Sequence, residues 1–223
     1  MFVRILPLCA VLLAAGAPAQ AQELETQQEK FSYTMGYQMG LSLQRPGMEL
    51  DHEIVVQALQ EALSGEQPRL SRNEMDEAIA AQRAKLESDR QEKAAGNLAR
   101  GEEFLQENGQ REEVTETESG LQYEVITEGD GAQPTTDDTV VVHYEGTHLD
   151  GSVFDSSYER GNPATLPLNG VIAGWQEGLQ LMKEGAKYKL YVPADLAYGE
   201  NGAGQRIEPN ETLVFEVELL EIK

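Results

Sequence analysis

The hydrophobic repeat of this chain changes once, from a helical period to a strand period, and this change limits the folds that the chain can adopt. From residue 22 to about residue 111, apolar side chains recur at helical spacing, as in Phe31, Met35 and Met39. Beyond a polar stretch at 110–119, every second residue is apolar in four runs: Leu121, Tyr123 and Val125; Val140, Val142 and Tyr144; Tyr188, Leu190 and Val192; and Leu213, Phe215, Val217 and Leu219. The chain therefore divides into a helical part and a part made of strands.

Local signals place the ends of two further helices in the first part. Asp51 is expected to cap one helix and Gly65 to end it. Ser71 and Glu74 form a capping box that opens the next helix, which can run to about residue 108. That helix carries a narrow apolar stripe of Met75, Ile79, Leu86, Leu98 and Leu105. We therefore expect it to be a mostly solvated, rigid arm.

One short helical pattern interrupts the strands, at Ile172, Trp175, Leu179 and Met182. An antiparallel sheet packed around this single short helix satisfies both periods. The predicted fold class is therefore α+β, with an all-helical N-terminal region and a long connecting helix before the sheet.

The first 21 residues are predicted to form a secretory signal peptide. Arg4 precedes a short apolar run, and Ala19 and Ala21 provide the small residues of a cleavage site. Cleavage would remove Cys9, the single cysteine, and with it any thiol nucleophile or disulfide. The run is shorter than the roughly 18 residues of a membrane span, so none is expected. The expected location is the periplasm, with association at the outer membrane or cell surface as an alternative.

Charge and residue content argue against binding of nucleic acid, a metal ion or a cofactor. Lys and Arg number 17 against 39 Asp and Glu, a net charge of -22, which would repel nucleic acid. The three histidines, His52, His143 and His148, are scattered, so no metal site is expected. No glycine-rich phosphate loop precedes a helix, and no cofactor is predicted.

The first two helices have more apolar surface than they can bury in each other. A second copy of the chain could cover it, so we expect a homodimer through residues 22–70. The alternative is that these helices fold back onto the C-terminal half.

Six short motifs in the second part carry a resemblance to a known family. They are residues 141–146 (VVHYEG), 150–151 (DG), 154–157 (FDSS), 171–175 (VIAGW), 196–199 (LAYG) and 213–215 (LVF). In this order and spacing they closely resemble the FKBP-type peptidyl-prolyl isomerases over about residues 119–223. The helical half is similar in layout to the exported bacterial subgroup that includes the Mip and FkpA proteins.

The resemblance implies a domain plan and a set of partners. The plan is a signal peptide at 1–21, a helical dimerisation domain at 22–70, a long connecting helix at 71–111 and an isomerase domain at 112–223, in which a bent antiparallel sheet wraps around a short helix. The implied substrates are unfolded or proline-containing polypeptides. The implied inhibitors are macrolides such as FK506 or rapamycin.

The resemblance also implies the site residues. Tyr144, Phe154 and Phe215 would form the walls of an apolar pocket and Trp175 its floor. Val171 leads into the short helix. The backbone N–H of the next residue, Ile172, and the hydroxyl of Tyr198 would bind the peptide. Asp155 would lie beside the rotating carbonyl, Arg160 would position it, and Ile207 would overhang the site. Ala164 and Arg206 depart from the commonest family pattern, which bears on peptide preference and macrolide affinity.

The expected activity is rotation about the peptide bond before proline during the folding of exported proteins, by stabilisation of the twisted amide. Two alternatives stay open at this point. One is a periplasmic holdase chaperone that uses the dimer cleft, with isomerase activity secondary. The other is a surface interaction protein that uses the same domain for docking.

Overall fold

The computed structural model describes residues 23–44 and 49–223, so the signal peptide predicted at 1–21 lies outside the described residues. The chain divides into two compact units, before and after Asp51. Within the described ranges, no helix combines the length and the apolar character that a membrane crossing requires.

The first unit contains helix α1, Gln27–Leu43. Its start is a capping box: the Glu29 N–H donates to the Thr26 hydroxyl at 3.2 Å, and the Thr26 N–H donates to the Glu29 carboxylate at 2.8 Å. Large apolar side chains point to solvent from opposite sides of this helix. Phe31 is 68% exposed, and Tyr33 and Tyr37 stack on each other with ring centroids 6.0 Å apart.

The second unit opens with two helices whose predicted ends are confirmed. Helix α2, His52–Ser64, begins where the Asp51 carboxylate accepts from two backbone N–H groups, and it ends at Gly65 in the left-handed conformation. Helix α3, Arg72–Asn108, begins with the predicted capping box of Ser71 and Glu74. These ends depend on neighbouring residues alone, and for this reason the sequence predicts them well.

A seven-stranded antiparallel sheet follows, which confirms the predicted fold class. Its strands are β1 Val114–Glu116, β2 Gln122–Thr127, β3 Thr139–Thr147, β4 Val153–Ser156, β5 Ala164–Pro167, β6 Lys187–Val192 and β7 Leu213–Ile222. The order is β1-β2-β6-β7-β3-β4, and β5 pairs with β3. The four alternating runs of the sequence correspond to β2, β3, β6 and β7. The strands β1, β4 and β5 have three or four residues each, too few for an alternation to stand out.

The short helix α4, Ala173–Leu181, packs closely on strand β6. A Cβ atom at Gly174 would lie 2.5 Å from a Val192 methyl group, and one at Gly178 would lie 2.8 Å from a Leu190 methyl group. Two glycines four residues apart therefore let the helix backbone approach the sheet. Trp175 and Leu179 on the same helix are buried in the core that the sheet and α4 share.

Helix α3 touches the sheet through residues that the sequence analysis assigned to solvent. Of its predicted apolar stripe, Met75, Ile79 and Leu98 are exposed. The buried residues of α3 are instead Asn97, Gly101 and Asn108. The expectation of a solvated arm is therefore wrong for the last third of the helix, because polar side chains and the Phe104 ring pack there and the backbone approaches closely.

The contact of α3 also explains why strand β2 departs from simple alternation. Gln122 is fully buried although it occupies a polar position, since it accepts a hydrogen bond from the Asn108 amide at 2.9 Å and donates one to the Leu105 carbonyl at 2.8 Å. Nearby, Phe104 packs against Tyr191 of β6 with ring centroids 5.8 Å apart. A buried amide with both ends paired costs little, so a polar residue is stable there.

Two glycines of α3 provide a matched test of this packing. A Cβ atom at Gly101 would lie 2.3 Å from the Thr212 hydroxyl oxygen, whereas one at Gly96 would meet nothing within 4 Å. We expect Gly101→Ala to lower the free energy of unfolding by about 1 to 2 kcal/mol through overpacking. Gly96→Ala should raise it by about 0.5 to 1 kcal/mol through helix propensity.

Urea unfolding followed by the fluorescence of Trp175, the single tryptophan, measures both variants. If the two substitutions changed stability in the same direction and by the same amount, α3 would not be packed as described.

Candidate active site

Four aromatic rings from four different elements meet in one cluster. Tyr144 of β3 and Trp175 of α4 have centroids 5.1 Å apart at 87°, and Trp175 and Phe215 of β7 are 5.3 Å apart at 84°. Phe154 of β4 meets Phe215 at 5.6 Å and 90°. These are edge-to-face contacts, the geometry that ring quadrupoles favour. The rings therefore hold one another in fixed orientations and form an apolar surface.

Strand register brings the rings together, and one glycine makes room for them. Gly146 of β3 pairs with Phe215 across the ladder to β7 and with Asp155 across the ladder to β4. A Cβ atom at Gly146 would lie 2.6 Å from the Phe154 ring and 2.9 Å from the Phe215 ring. The phenyl rings thus meet over a position that has no side chain. Gly146 lies within one of the family motifs, but no role is predicted for it from the sequence; the signal that points to it is a glycine inside a strand.

Trp175 lies at the base of the cluster and is only 4% exposed. Its indole N–H is buried and has no hydrogen-bond acceptor within the described part of the chain. The indole ring itself packs edge-to-face against the Tyr144 and Phe215 rings.

A carboxylate with two donors lies at the edge of the rings. Asp155 accepts a hydrogen bond from the Tyr144 hydroxyl at 2.5 Å and another from Arg160. Arg160 also donates to the Tyr144 hydroxyl oxygen at 2.8 Å. Burial raises the pKa of Asp155, but the bonds from Tyr144 and Arg160 outweigh burial, and the pKa lies below its usual value. Asp155 is therefore an anion at neutral pH.

Tyr198 presents its hydroxyl to the same neighbourhood. It is 39% exposed and precedes a short turn of helix at Gly199–Asn201. Burial raises its pKa, and the negative charge of Asp155 raises the pKa further. The hydroxyl therefore keeps its proton at neutral pH and can act as a donor.

The segment that enters α4 borders the rings. Val171 and Ile172 are half-buried and pack against the core cluster. Ile172 is the residue immediately before α4, and an N–H at that position has no acceptor inside the helix. The Gln176 side chain donates to the Val171 carbonyl at 2.8 Å, which holds this segment in place.

The three remaining sequence positions lie on the loop before β7, which carries Arg206 and Ile207, and on β5, which begins with Ala164. Ile207 is 7% exposed, forms a β-bridge with Ala203 and belongs to the core cluster, so its side chain is packed. Ala164 packs against the same cluster, and Arg206 donates to the Phe154 carbonyl at 3.3 Å.

The structure thus gathers the predicted residues around one cluster. The residues buried in the core are Trp175, Ile207 and Phe215, and those packed against it are Tyr144, Phe154, Val171 and Ile172. Asp155 and Arg160 are bonded to each other at the edge of the rings, and Asp155 interacts electrostatically with Tyr198. Such a set places a fixed carboxylate beside an apolar surface, where its charge can act on a nearby dipole. The individual roles of these residues stay predictions.

Comparison with known proteins identifies the same family that the sequence motifs resemble. Residues 131–220 match the family model of the FKBP-type peptidyl-prolyl cis-trans isomerase, and residues 28–125 match that of the domain amino terminal to it. The FKBP-type 22 kDa peptidyl-prolyl cis-trans isomerase of Escherichia coli is 45% identical over 199 residues, which cover 89% of this chain and 97% of that protein.

Two further relatives extend the match. The outer membrane protein MIP of Legionella longbeachae is 38% identical over 213 residues, covering 94% of this chain and 91% of that protein. The crystal structure of FkpA from Escherichia coli superposes with a TM-score of 0.65 at 38% identity, covering 90% of this chain and 99% of that one. The chain therefore belongs to the FKBP-type peptidyl-prolyl cis-trans isomerases, enzymes that rotate the peptide bond before proline.

Proposed function

We propose that the aromatic cluster with Asp155 at its edge is where this chain rotates the bond before proline, and that it does so by binding the twisted amide better than either planar form. Rotation must break amide resonance, a barrier of roughly 18–20 kcal/mol. No covalent bond is made or broken, so no nucleophile or cofactor is needed. The contact of the four rings beside an ionised carboxylate is the observation that carries this proposal.

The apolar rings favour the twisted amide through solvation. A planar amide is the more polar form, and removing it from water penalises it more than the twisted form. In this mechanism Trp175 is the floor beneath the proline ring, while Tyr144, Phe154 and Phe215 are the walls. Val171 and Ile207 complete the apolar border.

The polar groups orient the peptide and its rotating carbonyl. The Tyr198 hydroxyl and the Ile172 N–H would bind carbonyls of the chain beside the proline. Asp155 would act on the rotating carbonyl electrostatically, without transferring a proton. Arg160 and Tyr144 hold Asp155 in one orientation by the bonds described above, so its field is fixed before substrate arrives.

The cellular location, the substrates and the inhibitors of the enzyme are also part of the proposal. The signal-like first 21 residues support export and action in the periplasm on unfolded, proline-containing polypeptides. The similarity to a protein named as an outer membrane protein leaves association with that membrane as an alternative. Macrolides of the FK506 and rapamycin type would occupy the same apolar pocket as proline.

We also propose that residues 22–70 form a homodimer. Apolar side chains lie on several sides of α1, and Phe31, Met35 and Met39 are exposed in the single chain. Large apolar side chains clustered on a helix are normally covered by a partner. In the second unit, a groove of about 520 Å³ between α2 and the start of α3 is lined with apolar side chains such as Ile54 and Met75. Both features support burial against a second copy.

The isomerase site is tested by removing charge and ring separately. Asp155→Asn should lower kcat/KM for a proline tetrapeptide by about tenfold, because the negative charge beside the carbonyl is lost. Phe154→Leu should lower it by a similar factor, about tenfold, because the wall loses its ring. Both are measured by a protease-free isomerisation assay.

The control is Asp150→Asn, the same change five residues away. Asp150 caps the turn through bonds to the Ser152 backbone N–H and hydroxyl, which asparagine can also accept. We expect this variant to keep the parent activity. Full activity in Asp155→Asn would remove the electrostatic role.

The directions of the pKa shifts predict a flat pH profile. The pKa of Asp155 lies below its ordinary value of 3.8 and that of Tyr198 above its ordinary value of 10.0. Neither group changes its charge between about pH 5 and about pH 9, so kcat/KM should be constant there. Because the folded-state pKa of Asp155 is lowered, its contribution to stability is present above pH 3.8 and is lost as the pH falls through the folded value. A bell-shaped profile within the neutral range would show that a proton is transferred.

The dimer is tested by the mass of the chain in solution. We expect the mature protein to sediment at twice the mass of one chain, and Phe31→Glu combined with Met35→Glu to sediment at the mass of one. Leu98→Glu places the same charge on an exposed apolar residue outside residues 22–70 and should stay dimeric. A parent protein that sediments as a monomer would favour the folded-back alternative.

A further inference from the structure

The loop at 199–212, between the turn after Tyr198 and strand β7, carries Ile207 and is held by few bonds of its own. Its glycines Gly199, Gly202 and Gly204 have positive φ angles of 55°, 63° and 59°. Within the loop, Ala203 and Ile207 exchange two backbone bonds of 2.9 and 3.2 Å, and Asn210 and Gly202 both donate to the Gly199 carbonyl, at 2.9 and 3.2 Å. The Glu208 N–H donates to the Glu211 carboxylate at 2.8 Å. A segment of successive turns with so few internal bonds depends on its neighbours for a single conformation.

Helix α3 supplies most of those neighbours from one stripe; the others include His148, which bonds to the Glu211 carboxylate at 2.8 Å, and Phe154, whose carbonyl accepts from Arg206. Arg90 donates to the Glu200 carbonyl at 3.1 Å, and Lys93 donates to the Glu208 carboxylate at 2.6 Å. Asn97 donates to the other oxygen of Glu208 at 3.3 Å and to the Pro209 carbonyl at 2.9 Å. Residues 90, 93, 97 and 101 follow one another at steps of three, four and four, so they share one face of the helix.

The central residue of this stripe is buried and its orientation is fixed. Asn97 is 3% exposed. Arg100 donates to the side-chain Oδ1 of Asn97, so that the side-chain amide nitrogen faces the loop. One turn further on, Gly101 lies against Thr212 at the end of the loop, with no space for a side chain. The bond from Lys93 lowers the pKa of Glu208, the residue next to Ile207, so Glu208 is an anion that the stripe can hold.

We propose that Arg90, Lys93, Asn97 and Gly101 of α3 position the 199–212 loop and thereby set how tightly the enzyme binds its peptide substrate. The working catalytic unit then begins within α3, near residue 90, and not at residue 112. The proposal rests on the roles proposed above for Tyr198 and Ile207. The four residues are positioning residues: each acts on the loop and none contacts the peptide.

The effect on kinetics follows from the population of the ordered loop. If only a fraction of molecules has the loop in place, the apparent affinity for substrate falls by that fraction, while substrate already bound selects the ordered loop. Loss of the stripe should therefore raise KM and leave kcat unchanged. A purely structural role would reduce the amount of folded enzyme, which lowers the apparent kcat and leaves KM unchanged.

The test uses the full mature chain with Lys93→Met and Asn97→Ala combined. We expect KM for a proline tetrapeptide to rise about fivefold, with kcat within about twofold of the parent. Lys93→Arg, which keeps the cation, should keep the parent KM. The matched control is Lys85→Met on the same helix, because Lys85 pairs with Asp89 of α3 at 3.2 Å and should leave KM unchanged.

Hydrogen exchange of the loop amides distinguishes failure of the positioning role from failure of the loop's role in substrate binding. The amides of Ala203, Ile207 and Asn210 should exchange faster in the double variant. An unchanged KM with unchanged exchange would overturn the positioning role alone. An unchanged KM with faster exchange would show that the loop does not serve substrate binding, which overturns both this proposal and the role of Ile207. A fall in apparent kcat at constant KM would show that the stripe is only a structural contact, which overturns the proposal.

Discussion

The pairing of strands β3 and β7 is the constraint on which the rest of the site depends. Its register sets Tyr144 opposite Val217 and Gly146 opposite Phe215, so that Tyr144 and Phe215 point to the same side of the sheet. A slip of one residue would turn either side chain to the other face. Because β3 also pairs with β4, the same strand places Asp155 opposite Gly146, and Phe154 lies at the irregularity next to this pair. One ladder therefore decides whether the rings meet at all.

The site combines an apolar surface with a carboxylate that is paired with Arg160, two features that normally oppose each other. Removing a carboxylate from water is costly unless donors replace the water, and for Asp155 the Tyr144 hydroxyl and Arg160 do so. Tyr144 serves both features, since its ring packs on Trp175 while its hydroxyl holds the carboxylate. A fixed charge beside a dry surface suits a reaction in which only the polarity of an amide changes.

Helix α3 belongs to two parts of the molecule. Its first turns adjoin the groove that it forms with α2, and its last third is packed on the sheet and on the loop that carries Ile207. The contact with the sheet includes the Phe104 ring, whereas the contact with the loop is made of polar side chains and a glycine. Bonds of this kind add little to stability when exposed, but they select one orientation of the groups they join. The helix is therefore suited to hold the loop in one conformation.

The sequence by itself determined what depends on near neighbours: the caps at Asp51 and Ser71, the end at Gly65 and the four long strands, whose alternation is visible within a few residues. The family resemblance added the ring residues, because their motifs are contiguous. Only the tertiary structure decided that Gln122 and Asn97 are buried, that Gly146 lies beneath two rings and that Ile207 is packed. Hydrophobic period reports whether a face is apolar, but it cannot report a polar partner more than one hundred residues away, such as Glu208 for Asn97. Burial of a polar group depends on that partner, and the fold alone brings the two together.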